Sequence, residues 1–282
     1  MNALVTSPRT TPPAARTLRI GCVSYLNARP LIHGLDAADD VALTLDVPAK
    51  LLDGLRDGRF DVALLPVIDY QRLPGLTLIP AGGIASDGPT LTVRIFSRMP
   101  IERVASLACD PDSHTSVALA RVILAERYGR TPEFVDLRSA AGANAEARLL
   151  IGDKVVCEEP SRIDFPHQLD LGQAWKSLTG GPFVFAAWVG RAAPGLDLVA
   201  THERLVRARE EGMRHVEAII RAHAVPRGWP ADLARQYLTR NLQYGITPRH
   251  LEAIRTFHQL AATHGAIDTP PRPLEIVPAV PS

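Results

Sequence analysis

Three cysteines in 282 residues, Cys22, Cys109 and Cys157, lie far apart and form no C-x-x-C pair. Their number and spacing exclude a disulfide framework and a cysteine-built zinc site, and they favour a reducing compartment. Lysine is equally scarce, at positions 50, 154 and 176 only, and arginine makes up the difference: 31 Lys and Arg stand against 30 Asp and Glu, a net charge of +1. The arginines are scattered along the chain, so no nucleic-acid partner is expected. There is no run of about 20 apolar residues and hence no expected membrane span. The opening MNALVTSPRTTPPAAR has no apolar stretch of signal-peptide length, and Cys22 in RIGC follows no hydrophobic region; a cytoplasmic protein is expected. The common catalytic and phosphate-binding motifs are missing too: no P-loop, no G-x-G-x-x-G after a strand, no H-E-x-x-H and no G-x-S-x-G. What the chain does have is 46% hydrophobic and 22% charged residues, which excludes disorder as a whole-chain state. Its length suits two units of roughly 100–150 residues better than one core.

Regular patterning starts at Leu18. The run LRIGCVSYL reads as a strand, ending at a turn after which Pro30 opens a short helix; VALTLDVP (41–48) reads as a second strand, AKLLDGLRDGRF (49–60) as a helix and DVALLPV (61–67) as a buried strand. A β-α-β-α-β run of this kind is the grammar of a mostly parallel sheet covered by helices. Strands are expected at 76–86 and 88–100, then a helix over 115–129 with Ser and Thr at its start and Gly129 at its end. A strand at 131–137, then a helix, turn and strand over 145–160, then within 168–191 a short helix, a Thr-Gly-Gly turn and the long strand Phe183–Val189 follow, and the chain beyond Leu205 reads as helical with a loose Pro-rich end. The pattern predicts a tail over 1–17, one lobe from 18–97 with 190–282, and a second from 98–189. The strands near 90–97 and 183–189 are expected to cross between lobes side by side. A ligand cleft belongs between the lobes, at the carboxyl ends of parallel strands.

Polar residues gather at four places where strands give way to helices. After the first strand come Ser24, Asn27 and Arg29: the first two can bind a small polar ligand and Arg29 can clamp a carboxylate. The same residues would also serve as a capped turn, with Asn27 as N-cap. Ser86, in Ala85-Ser86-Asp87-Gly88-Pro89, can take part in an anion-binding nest or in an ordinary turn. In Asp112-Ser113-His114-Thr115-Ser116 the side chains of His114, Thr115 and Ser116 stand at a helix start, where free amides and the helix dipole favour a carboxylate; the same residues would also serve only to cap the helix, and His114 alone reads as structural sooner than catalytic. Thr179 and Gly180 begin a turn whose bare backbone allows close approach. Trp175 and Trp188 read as packing residues, and Glu158-Glu159 and Asp39-Asp40 as solvated pairs.

Taken together, RIGCVSYLNARPLIHGL, FDVALLPVIDY, SHTSVALARVIL and DLGQAWKSLTGGPFVFAAWVGR resemble the MqnA family, the chorismate dehydratases of menaquinone biosynthesis by the futalosine route. The resemblance keeps motif order from about residue 18 to 265. Two positions depart from it: Gly181 stands where a larger apolar residue is expected, and Asp69 where Glu is commoner. The resemblance implies an α/β, two-lobed periplasmic-binding-protein type II-like clamp, each lobe a mixed sheet flanked by helices. It implies no metal and no organic cofactor, and a small dianionic substrate, chorismate, which loses water to give 3-[(1-carboxyvinyl)oxy]benzoate. Asn27, in the distinctive block SYLNARPL, is the expected catalytic residue. Ser24, Arg29, Ser86, His114, Thr115, Ser116, Thr179 and Gly180 are the expected substrate contacts. An amide cannot be the base, and the substrate's own enolpyruvyl carboxylate is the expected proton acceptor. Two other readings share the fold: a solute-binding protein for a small carboxylate, and the related dihydroxynaphthoate-forming enzyme MqnD.

Overall fold

Among the residues described in this computed structural model, 16–110 and 113–278, ten strands form two five-stranded sheets. The chain opens with β1 (Leu18–Val23), β2 (Val41–Asp46), β3 (Val62–Pro66) and β4 (Leu76–Ser86). It then builds β5 (Val93–Ser97), β6 (Ser106–Cys109), β7 (Glu133–Asp136), β8 (Ala147–Ile151) and β9 (His167–Asp170), and finishes with β10 (Phe183–Arg191). The first sheet runs β2-β1-β3-β10-β4 and the second β7-β6-β8-β5-β9. Both follow one plan, with three parallel strands and then an antiparallel strand inserted before the edge: β10 between β3 and β4, β5 between β8 and β9.

Helices cover the faces: α1 (Pro48–Arg56), α2 (His114–Tyr128), α3 (Ala140–Asn144), α4 (Asp153–Cys157), α5 (Leu171–Thr179), α6 (Leu198–Arg214), α7 (Val216–Ile219), α8 (Ala231–Gln236) and α9 (Pro248–Thr263). Helix α1 begins with Pro48, whose fixed φ suits a first helical position, and buries Leu51, Leu52 and Leu55. Helix α2 ends at Gly129, in the left-handed conformation that spares a glycine any Cβ clash. At Gly212 in α6 an added Cβ would sit 2.0 Å from the Pro30 carbonyl oxygen. Only glycine therefore lets α6 lie against the 3-10 turn Leu26–Ile32.

Several expectations need correction. The strands near 90–97 and 183–189 do not lie side by side, because β5 belongs to the second sheet and β10 to the first. Both are inner strands: Phe183 to Gly190 are all buried, filling the slot between β3 and β4. The sheets therefore exchange chain between β4 and β5 and between β9 and β10, earlier than the expected boundaries at 97 and 189. The order expected over 145–160 is reversed, with strand β8 preceding helix α4, because Ala147–Ile151 pairs with both β5 and β6. Pro30 sits inside the 3-10 turn, not at its start, and Asn27 is part of that turn with no capping bond from its N-cap Tyr25. The C-terminal segment is tied down as far as it is described. Leu78 donates to the Glu275 carbonyl at 2.8 Å, Val277 to the Leu78 carbonyl at 2.9 Å, and the Arg272 amide to the Gln71 side chain at 2.8 Å. Residues 1–15 of the expected tail lie outside the described residues, whereas Arg16 pairs with the buried Asp61 at 2.5 Å. Trp175 and Trp188 are core residues, as their sequence context indicates.

Candidate active site

A cavity lies between the two sheets, where β1 and β3 end and α2 begins. From the first sheet come Val23, Tyr25, Asn27, Pro66 and Phe185; from the second unit come Ser113 to Ser116 and Gly152; Thr92 and Tyr237 close the floor. Most of this wall is apolar, so each polar group in it acts in a weakened dielectric.

Asn27 is fixed at one end. Its Nδ2 donates to the Tyr237 hydroxyl at 3.2 Å, and that hydroxyl also bonds the Thr92 hydroxyl at 2.7 Å. Tyr237 is fully buried and its ring stacks on Trp229 with centroids 5.2 Å apart. Burial pushes the Tyr237 phenol far up, so it stays protonated and acts as a positioning group, not a base. The Asn27 Oδ1 is buried with no hydrogen-bond partner among the described residues. A buried acceptor left open costs free energy unless something fills it, and here it belongs to a cavity-lining residue.

On the opposite wall, Thr115 Oγ1 accepts the Ile68 amide at 3.3 Å, Ser116 is buried, and Ser113 Oγ is buried without a partner. The His114 Nδ1 lies 2.8 and 2.9 Å from the two carboxylate oxygens of Asp69, a fully buried residue that also takes a 3.0 Å bond from Arg72. The start of α2 carries positive helix-end potential, so this wall suits an anionic group.

The structure brings Asn27, His114, Thr115 and Ser116 together and separates the other candidates from them. Ser24 is exposed and contributes its carbonyl to Arg29 at 3.3 Å and to Arg227 at 3.2 Å; neither Ser24 nor Arg29 lines the cavity. Burial, and next the neighbouring Arg227, lower the Arg29 guanidinium from its ordinary value. Ser86 is buried with an unpaired hydroxyl but stands behind the wall, packed toward Gly172 at the start of α5. Thr179 and Gly180 form the C-terminal end of α5 on the far side: Thr179 bonds back to Trp175 and Gly180 accepts from Arg249. They are helix-cap residues because Gly180 supplies the left-handed φ that ends α5. Asp112 lies outside the described residues. The buried thiols of Cys22 and Cys109 are both pushed up to about 12 by burial, which leaves no thiolate for chemistry at neutral pH. Sequence reasoning misses Tyr237 and Thr92, whose importance arises only from the packing that joins them to Asn27.

A family model described as menaquinone biosynthesis matches residues 18–263. A chorismate dehydratase of Thermus thermophilus is 30% identical over 249 residues, covering 80% of this chain and 89% of that protein. A second, from Campylobacter jejuni, is 30% identical over 165 residues, 57% of this chain and 58% of that one. Among solved structures, a protein of Archaeoglobus fulgidus superposes with a TM-score of 0.69 at 16% identity, covering 90% of this chain and all of that one. The periplasmic aliphatic sulphonate-binding protein SsuA of Escherichia coli gives 0.56 at 15% identity, covering 88% and 91%. At those identities the structural likeness establishes the periplasmic-binding-protein-like fold alone. No helix among the described residues is long and apolar enough to cross a membrane.

Proposed function

We propose, for a chain that belongs to the menaquinone-biosynthesis family, that the cleft removes water from chorismate to give 3-[(1-carboxyvinyl)oxy]benzoate. The protein is a chorismate dehydratase, and by reaction class a carbon–oxygen lyase. The structural observation that carries this reading is Asn27: it is held by Tyr237, with an unpaired Oδ1, across one cavity from the start of α2.

The chemistry suits that geometry. In chorismate the ring carboxylate is conjugated with the C1–C2 double bond, so loss of the C3 proton sends charge toward that carboxylate. Departure of the C4 hydroxyl then makes the ring aromatic, which supplies much of the driving force. The reaction needs one end of the substrate held as an anion and the other end aligned. The Thr115 and Ser116 hydroxyls and the first turn of α2 suit the carboxylate. The second N–H and the free Oδ1 of Asn27 suit the C4 hydroxyl, holding it in line with the breaking bond.

Incubating the purified protein with chorismate and following the aromatic product in the ultraviolet tests the assignment. Product formation is expected. Binding without product would point instead to a solute-binding role. The Asn27→Ala variant should lose turnover on the order of a hundredfold, the size of one positioned catalytic hydrogen bond. Its product affinity should change little, because the anion-holding groups lie on the other wall. Near-normal turnover would remove Asn27 from the chemistry.

A further inference from the structure

The chain passes from the first sheet to the second through residues 87–92, between β4 and β5, and two residues of this crossing, Thr90 and Thr92, line the cleft cavity. Between them stands Leu91 with a φ of 69°, the one non-glycine residue at positive φ among the described residues. A leucine is crowded by its own Cβ in that region, and the conformation persists only where the surroundings enforce it. The enforcement comes from the end of β9. The Asp170 carboxylate takes the Thr90 amide on Oδ1 at 3.0 Å and the Leu91 amide on Oδ2 at 2.9 Å. The Leu91 carbonyl accepts from Arg94 Nε at 3.0 Å, and that guanidinium lies 3.6 Å from Asp170. Both backbone polar groups of Leu91 are thus satisfied by side chains.

Asp170 is also the N-cap of α5, accepting the Gln173 amide on Oδ1 at 3.1 Å. A cap needs one oxygen; the second, Oδ2, is turned to Leu91 and Arg94. Two residues on, at Gly172, an added Cβ would lie 2.6 Å from the Gly88 carbonyl oxygen, 2.7 Å from Ser86 Oγ and 3.1 Å from Thr90 Cβ. The Asp-Leu-Gly run that opens DLGQAW therefore does two things: it supplies the acceptor for two amides of the crossing, and it leaves a helix start bare enough to lie against it. What the crossing carries is part of the site. The Thr92 hydroxyl lies 2.7 Å from that of Tyr237, which takes the Asn27 amide at 3.2 Å.

Resting on the dehydratase reading, we propose that Asp170 is a positioning residue of the reaction. Its carboxylate holds Leu91 in the left-handed conformation, and this kink sets Thr90 and Thr92 in the cavity wall. Through Thr92 and Tyr237 it also sets the direction of the Asn27 amide. Asp170 itself does not line the cavity. Its effect on turnover passes through Leu91, so the damage done by losing it depends on how readily residue 91 adopts a positive φ.

A double-mutant cycle at positions 170 and 91 tests this, read by chorismate turnover and by hydrogen exchange of the amides of the crossing. Asp170→Asn keeps a capping oxygen for α5 but sets an amino group against one of the two crossing amides. With Leu91 in place it should lower kcat roughly ten- to a hundredfold, the scale of a misplaced site, and speed exchange of the Thr90 and Leu91 amides. In a Leu91→Gly chain the same substitution should lower kcat by no more than about threefold, because glycine takes the positive φ unaided. Leu91→Val leaves Asp170 and its cap untouched. It should lower kcat by roughly tenfold, since a β-branched residue is the most crowded at positive φ, and it carries the test if Asp170→Asn does not fold. Equal losses from Asp170→Asn in the Leu91 and Leu91→Gly chains would overturn the proposal and leave Asp170 as a helix cap. A kcat within about threefold of wild type in Asp170→Asn or in Leu91→Val would overturn it as well. A wild-type protein that binds chorismate without making product would defeat the dehydratase reading, and the role in turnover with it. Slow exchange at Thr90 and Leu91 that Asp170→Asn abolishes would then mark the failure as one of function and not of the grip on the crossing.

Discussion

Tyr237 does its work through other residues. Its hydroxyl takes the Asn27 amide and joins it to Thr92, so three residues from distant parts of the chain hold one another at the floor of the cavity. Removing that hydroxyl in Tyr237→Phe leaves the ring stack on Trp229 intact while freeing the Asn27 amide to rotate. The expected result is a loss of about 1–2 kcal/mol in stability, with a tenfold order fall in turnover and little change in product affinity. Denaturant melts and steady-state kinetics on the same preparation check it. Unchanged turnover would mean that Asn27 is held by its backbone turn alone. Asn27 is legible in the sequence because it follows the first strand, where parallel strands deliver side chains to a cleft. Tyr237 is not: it lies 210 residues further on, in a helical run whose pattern offers nothing to distinguish it from an ordinary core aromatic. Arg29 and Thr179 show the opposite error. Their types suit an anion, but turn and cap geometry aims them elsewhere, and no local pattern records that direction.

At the level of elements, α9 fastens the turn that carries Asp69. His258 of α9 donates from Nε2 to the Val67 carbonyl at 2.9 Å and accepts at Nδ1 from the Gln71 side chain at 2.8 Å. The neutral ring fits this pair, whereas a second proton would point at the Gln71 amide hydrogens. Burial lowers its pKa to about 4, against the opposing pull of the Val67 carbonyl. An unfolded histidine titrates near 6.5. The folded value is therefore the depressed one, and the contribution of His258 to stability is complete above about pH 6.5 and declines as the pH falls toward 4. The loss reaches about 3 kcal/mol at the acid end. Denaturation curves between pH 7 and 4.5 should show this decline in wild type and a flatter one in His258→Gln; equal slopes would exclude it. The elements themselves are largely readable. Alternation and Pro48 announce β2 and α1, and Ser, Thr and Gly129 frame α2. The reversal at 145–160 is a tertiary effect: the run ARLLI has no helix-breaking residue, and only pairing with β5 and β6 on either side makes it a strand.

Across the whole molecule the two units are clasped by contacts that cross the cleft. Besides His114 with Asp69, the Asp153 carboxylate, at the head of α4, accepts from Trp229 Nε1 at 3.2 Å and faces Arg227 at 3.7 Å. Glu126 of α2 meets His264 at 2.6 Å. Burial raises the Asp153 carboxyl, outweighing Arg227 and Trp229. Asp153→Ala should loosen the contact between the two units. Losing a hydrogen bond to a charged group, about 1.5–3 kcal/mol, raises KM by roughly ten- to a hundredfold, with kcat less affected. Kinetics together with X-ray scattering of the free protein test this; a KM equal to that of wild type would show that substrate binding does not depend on the clasp. That the chain forms two units is legible from the repeated strand–helix grammar. Where it changes sheet is not, because β5 and β10 are equally apolar and either sheet would accept them on composition.

The insertion of β10 between β3 and β4 has a consequence for how the chain emerges from the ribosome. Until Phe183–Arg191 is made, β4 has no strand beside it and β3 shows a bare edge. The whole second sheet, β5 to β9, is synthesised in that interval. At roughly 5–20 residues per second, the nascent first sheet waits several seconds with two unpaired backbones that invite contact with neighbouring chains. In the second sheet β5 also waits for its partners, but β8 follows after about half that length of chain.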